Sequence, residues 1–171
     1  MSRRSVAIGS VAIVLGSILM LSLAWGLQHA ALSDPPLLGR TAPRLAIQTA
    51  DGTQVRVWEL QGKPVVLNFW ASWCGPCVQE GGVLAGAATQ HPSIAFVGAD
   101  NRDTSSGFIT FEQNHPHTYP AGPIVDGSYQ AYGVAGLPAT FFIDSSGLVV
   151  ASFTGPLDAK SLDHYMGLIS R

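Results

Sequence analysis

Residues 64–77 read Pro-Val-Val-Leu-Asn-Phe-Trp-Ala-Ser-Trp-Cys-Gly-Pro-Cys, and this junction constrains the chain more than any other stretch. Pro64–Trp70 is a mostly apolar run with β-branched and aromatic residues, as expected of a strand covered on both faces. A helix is predicted to follow Cys74 and run towards Gln90, although Gly81, Gly82 and Gly86 each weaken it by ~1 kcal/mol relative to Ala. Cys74 therefore falls at a helix N-terminus, where free N–H groups and the helix dipole favour an anion. That placement lowers a thiol's pKa from ~8.5 and raises its thiolate fraction near neutral pH. The spacing of three puts both sulfurs on one helical face, within bonding reach. A thiolate at Cys74 can attack a disulfide, and Cys77 can then resolve the mixed disulfide. Cys74 is expected to be the exposed attacker and Cys77 the shielded resolver.

These are the chain's only two cysteines, which excludes a disulfide-stapled scaffold and a four-cysteine zinc site. A purely structural bond here would close too short a loop to remove much unfolded-state entropy. Half of a zinc site would need His115 and His117, but one proline separates them, not the three to five residues of the usual histidine arm. Both histidines are expected on a solvated loop.

The rest of the 171 residues places this junction. The charged fraction, 12%, is about half the usual ~25% for a soluble domain. The deficit is local, because no Asp, Glu, Lys or Arg occurs from Ser5 to Ser33. Arg3 and Arg4 precede an uncharged stretch, residues 6–27, and ~20 such residues in a helix cross a ~30 Å hydrocarbon layer. Residues 1–5 are thus predicted to be a cytoplasmic N-terminus, 6–27 a single-pass transmembrane anchor, and 28–36 a linker stiffened by Pro35 and Pro36. The working domain, 37–171, is then expected on the extracytoplasmic side of the cell membrane. A cleaved signal peptide is the competing reading, with Ser22-Leu23-Ala24 as a small-x-small site, and Ser2-Arg3-Arg4 resembles the start of a twin-arginine export signal. Beyond residue 33 the body is mildly acidic and has no basic cluster, which argues against nucleic-acid binding.

Strand and helix signals alternate along that body. Leu45–Gln48 and Gln54–Val57 flank Asp51-Gly52, a hairpin-turn dipeptide. Ile94–Ala99 reads as a buried strand, Thr104–Asn114 as a helix capped by Thr104, and Pro123–Val125 as a short strand. Gly127–Tyr132 reads as a turn or short helix. Ala139–Ile143 and Leu148–Phe153 form a predicted hairpin around Asp144-Ser145-Ser146-Gly147. The last helix starts after Asp158. The order β-α-β-α-β-β-α predicts an α/β domain, a central mixed β-sheet flanked by helices.

Asn68–Cys77, followed by Gly136-Leu137-Pro138-Ala139-Thr140-Phe141-Phe142-Ile143-Asp144, resembles the thioredoxin superfamily. Within it the chain is most similar to the membrane-tethered TlpA/ResA/CcmG (DsbE) thiol-disulfide oxidoreductases, from about Leu37 to Leu168, and Leu38–Pro43 resembles the opening segment of that group. The resemblance implies a thioredoxin-like fold and a cis Leu137–Pro138 bond facing the cysteines. X–Pro is the one linkage where cis costs only ~0.5–1 kcal/mol. It also implies that Trp73, Gly75, Pro76, Leu137 and Pro138 contact the substrate, with the backbone of Leu137 free to pair with an extended segment.

Thioredoxins proper carry an Asp where this chain has Asn68, so that acid–base role is vacant. By similarity to the ResA-like branch, Glu80 is assigned to thiol proton transfer beside Cys74 and Cys77; the alternative is a solvated helix-surface glutamate. Two positions depart from the family pattern. Gly82 stands where a proline is usual, and Ala139 stands where the cytochrome-maturation branch often carries Glu.

The resemblance implies a protein-disulfide reductase acting on exported proteins, with apocytochrome c as a client in cytochrome c-type biogenesis. It further implies a membrane electron donor of the CcdA or DsbD type, and no cofactor beyond the redox-active disulfide. Two rivals stand beside this. A peroxiredoxin-like peroxidase wants Thr where Ala71 stands, and a copper(I) chaperone would use Cys74 and Cys77 as soft ligands.

Overall fold

The computed structural model describes residues 15–25 and 37–170. The chain divides into two units, Met1–Pro36 and Leu37–Arg171. In the first, residues 15–25 are helical and their side chains exposed. Among the described residues no helix is long and apolar enough to cross a membrane. The rest of the predicted anchor, together with residues 1–5 and the linker 28–36, lies outside the described residues.

The second unit is built on a seven-stranded sheet: β1 (Leu45–Gln48), β2 (Gln54–Arg56), β3 (Val65–Trp70), β4 (Ala95–Asp100), β5 (Ala121–Gly127), β6 (Ala139–Ile143) and β7 (Val149–Thr154). Their order across the sheet is β2-β1-β5-β4-β3-β6-β7. The centre, β5-β4-β3, is parallel, and β6, β7 and the β1–β2 hairpin add antiparallel edges. The mixed sheet expected from the order of elements is therefore present. Three helices accompany it: α1 (Gly75–Gln90), α2 (Ser105–Asn114) and α3 (Ala159–Ile169).

Every residue of β3 is buried, which is why that segment carries no alternation of polar and apolar residues. Its side chains divide between two faces. Val65, Leu67 and Phe69 join a cluster with Leu45, Ile47, Tyr132 and Phe141. Val66 joins the other, where Leu84 and Ala87 of α1 meet Leu162, Met166 and Ile169 of α3. Burying each such large side chain contributes about 1.5–3 kcal/mol.

The helix starts follow the predicted positions, after Thr104 and after Asp158. The Thr104 hydroxyl accepts from Gly107 N, and the Asp158 carboxylate accepts from Ser161 N at 2.7 Å, which also holds its pKa below the usual value. β5 is longer than the predicted 123–125, running from Ala121 to Gly127. Its first residues pair with β4 (Gly98 opposite Ala121), and small side chains allow that approach without any sequence pattern that marks a strand. Gly122 lies so close to β1 that a Cβ there would fall 1.9 Å from the carbonyl oxygen of Gln48.

Candidate active site

β3 ends at Trp70, and a tight turn delivers Cys74 to the head of α1. Cys74 N donates to Ala71 O at 3.1 Å, and Asn101 N donates to Trp70 O at 2.8 Å. Ser72 N donates to the Asp103 carboxylate at 2.6 Å, and the exposed Trp73 indole donates to Arg102 O at 3.2 Å. The loop after β4 thus clasps the turn before the cysteines. Arg102 adopts a left-handed backbone (φ 59°), and its guanidinium lies over the Tyr129 ring. Pro76 occupies the first turn of α1, where its missing N–H leaves no bond unmade.

Cys74 and Cys77 are joined in a disulfide, with their Cα atoms 5.3 Å apart. Cys74 is the N-cap of α1, and its sulfur accepts from Cys77 N at 3.3 Å. The same N–H is placed to stabilise negative charge on that sulfur once the bond opens. The expected contrast in exposure is absent in this oxidised form: both cysteines are 5% exposed. Both are packed with Trp70, Ala71, Phe108 and Phe111, and Leu137 rests against the same cluster. Their asymmetry lies instead in surroundings, because Cys74 caps the helix whereas Cys77 lines a cavity of about 220 Å³ between α1 and α2.

The Leu137–Pro138 bond is cis. Ala139 pairs with Phe69, so Pro138 comes level with the end of β3, beside the cysteine turn. Gly155 N donates to Pro138 O at 2.9 Å and anchors the bend. Leu137 shares a small hollow with Trp73, Arg102 and Tyr129. Gly75, Pro76 and Trp73 sit on the cysteine turn itself.

Glu80 is 1% exposed, so the solvated-surface alternative does not hold. Its carboxylate accepts from Asn68 Nδ2 at 2.7 Å and from Leu157 N at 2.9 Å. Asn68 Nδ2 also donates to Thr140 Oγ1 at 3.0 Å. An Asp at position 68 would face the Glu80 carboxylate; the amide donates to it instead. Burial pushes the Glu80 pKa up, and the two donated hydrogen bonds only partly oppose that. Asn68 and Thr140 were not singled out as partners of Glu80 from the sequence, since the three are brought together only by the sheet.

The histidines also separate. His115 is exposed as expected, but His117 is not on a solvated loop: its side chain is 9% exposed and bound to Glu112. The ring packs against Trp70 at 4.6 Å, and apolar contact with β3 explains its withdrawal from solvent. At the end of β4, Asp100 is buried with Oδ1 lacking a partner among the described residues. Burial first, then the neighbouring Asp103, raises its pKa to about 7.

Residues 37–166 match the Redoxin family model. The chain belongs to the Redoxin family. Within it the chain is a thioredoxin-like protein of the TlpA/ResA/CcmG type. The thiol-disulfide oxidoreductase ResA of Bacillus subtilis (strain 168) is 30% identical over 136 residues, covering 77% of this chain and 75% of ResA. Two solved structures resemble the redoxin fold described above. MTB DsbF superposes with a TM-score of 0.65 at 28% identity, over 80% of this chain and 99% of its own. A secreted Mycobacterium tuberculosis disulfide oxidoreductase homologous to E. coli DsbE gives a TM-score of 0.60 at 27% identity, over 73% of this chain and 93% of its own. With the linked cysteine pair at the head of α1, this redoxin is a thiol-disulfide oxidoreductase.

Proposed function

We propose that this redoxin works as an extracytoplasmic protein-disulfide reductase, tethered by its N-terminal segment, that reduces disulfides of exported proteins. The observation that carries this reading is the capped sulfur of Cys74, which accepts the Cys77 N–H at the head of α1. In the reduced enzyme the Cys74 thiolate attacks one sulfur of the client, forms a mixed disulfide and releases the client's other sulfur. Cys77 then attacks Cys74, the enzyme disulfide forms, and the client leaves with two thiols. The client segment lies extended along Leu137 and cis-Pro138, beside Trp73, with Gly75 and Pro76 below it.

Glu80 serves as the proton relay for the pair. Its raised pKa and its burial between α1 and Asn68 of β3 support that role. Apocytochrome c before haem attachment is the client class suggested by the resemblance to ResA and DsbE. A membrane donor of the CcdA or DsbD type would return the enzyme to its dithiol, and tethering would raise the effective concentration of the two partners.

The full chain should reduce insulin disulfides, and Cys74→Ser should abolish turnover. A Cys77→Ser variant should hold its client as a stable mixed disulfide on Cys74, identifiable by mass spectrometry. Turnover that survives in Cys74→Ser refutes the assignment of roles.

A further inference from the structure

The cavity beside Cys77 has a wall that disulfide exchange as described does not use. Asn68, Trp70, Gly81, His117 and Tyr119 line it with Cys77. Two of these residues, Trp70 and Tyr119, also carry a buried polar atom (Nε1 and the hydroxyl) with no hydrogen-bond partner among the described residues. Buried polar groups of that kind are costly unless partnered. The cavity itself, about 220 Å³, is roomy enough for several ordered waters, and Asn68, His117 and Cys77 on its wall carry polar groups for them.

On the same wall His117 is held from behind. Its Nδ1 is hydrogen bonded to Glu112 Oε1, and its backbone N–H donates to Glu112 Oε2 at 3.2 Å. The ring is packed by Trp70, by Tyr119 at 5.1 Å and by Phe111 at 5.8 Å. A carboxylate on Nδ1 selects the tautomer that carries its proton there and leaves Nε2 as an acceptor. A thiol, a base and a carboxylate that orients the base are the parts of an activated nucleophile.

We propose that His117, oriented by Glu112, is a second proton acceptor for Cys77 alongside Glu80, reached through water in this cavity. The proposal rests on the reading of Cys77 as the resolving thiol. The Cys77 thiol gives its proton to a cavity water, which passes one to His117 Nε2. The thiolate's electron pair then forms the bond to Cys74 Sγ while the bond from Cys74 to the client breaks. The client sulfur leaves with the electron pair of the broken bond and is protonated from solvent. His117 returns its proton to solvent at the exposed mouth near Gly82 and Pro116. The titratable groups that face His117 are Glu112 of α2, Cys77 of α1 and Tyr119 before β5, with His115 at the mouth and Glu80 behind Asn68.

The test uses the full chain with Cys74→Ser, which leaves Cys77 as the sole thiol, alkylated by iodoacetamide between about pH 5 and pH 9. Adding His117→Gln should slow alkylation at neutral pH by about tenfold and move the thiol's inflection up by about one unit, as loss of a cationic partner does. Gly81→Leu should act in the same direction by displacing the water. A Cβ at Gly81 meets no atom within 4 Å, so this second variant keeps the question answerable if His117→Gln fails to fold. An unchanged profile in either variant that retains its far-UV circular dichroism overturns the proposal. Insulin reduction reports separately on the reductase reading: its failure with the alkylation shift intact would sink that reading alone.

Discussion

Glu80 and Asp100 are both carboxyls held out of water, and both have pKa values raised chiefly by burial. For either group the folded state binds a proton more tightly than the unfolded chain. Its contribution to stability is complete below the ordinary carboxylate pKa and is lost as pH rises through the folded value. For Asp100 the window runs from about 4 to about 7. Asp100→Asn should therefore flatten the pH dependence of stability across that window. Above it the variant should exceed the parent by on the order of 2 kcal/mol, after allowing for residual solvent screening. Urea midpoints at pH 5 and pH 8 measure this, and parallel curves for the two proteins would refute it. At Glu80, replacement by Gln removes the exchangeable charge, so insulin reduction near neutral pH should slow by about 10²-fold and lose the pH–rate limb that Glu80 supplies. An unchanged profile would leave Glu80 a purely structural residue. The resemblance to the ResA-like branch pointed to Glu80, and its spacing of three from Cys77 put it one helical turn along. Its burial was not legible: the N–H that holds it belongs to Leu157, and the amide at Asn68 looked like a missing acid rather than a donor.

At the level of elements, local chemistry made most boundaries readable. Asp51-Gly52 turns β1 into β2, Thr104 and Asp158 start their helices, and the cysteine spacing fixes the head of α1. What escaped was set by neighbours. Pairing with β1 and β4 lengthens β5, and packing on Trp70 draws His117 inward, neither of which leaves a periodic trace. Of the four glycines of α1, Gly81, Gly82 and Gly86 fall inside the helix, as predicted, and an added Cβ meets nothing at any of them. Gly82→Ala should thus stabilise the domain by about 1 kcal/mol, a rise of a few degrees in thermal midpoint. Gly122→Ala should do the opposite, because its Cβ would collide with the backbone of β1. Paired thermal melts decide both, and a lower midpoint for Gly82→Ala would mean that the bare helix serves a contact outside this unit.

The whole molecule sets the direction of electron flow. Gly75-Pro76 between the cysteines is the dipeptide of thioredoxin, near −270 mV, whereas DsbA lies near −120 mV, a gap of ~7 kcal/mol for two electrons. Equilibration of the full chain with glutathione should place its potential nearer the thioredoxin value, and a value near that of DsbA would reverse the proposed reductase into an oxidant. Glu80 gives this equilibrium a long reach. Through one carboxylate, the helix that carries the sulfurs is tied to β3 by Asn68 and to the approach of the last helix by Leu157. If Glu80 exchanges protons with the pair as proposed, a change at the sulfurs should reach an amide near the far end of the chain. Hydrogen–deuterium exchange at Leu157 should then differ between oxidised and reduced protein, making a remote backbone proton a gauge of the enzyme's electron load.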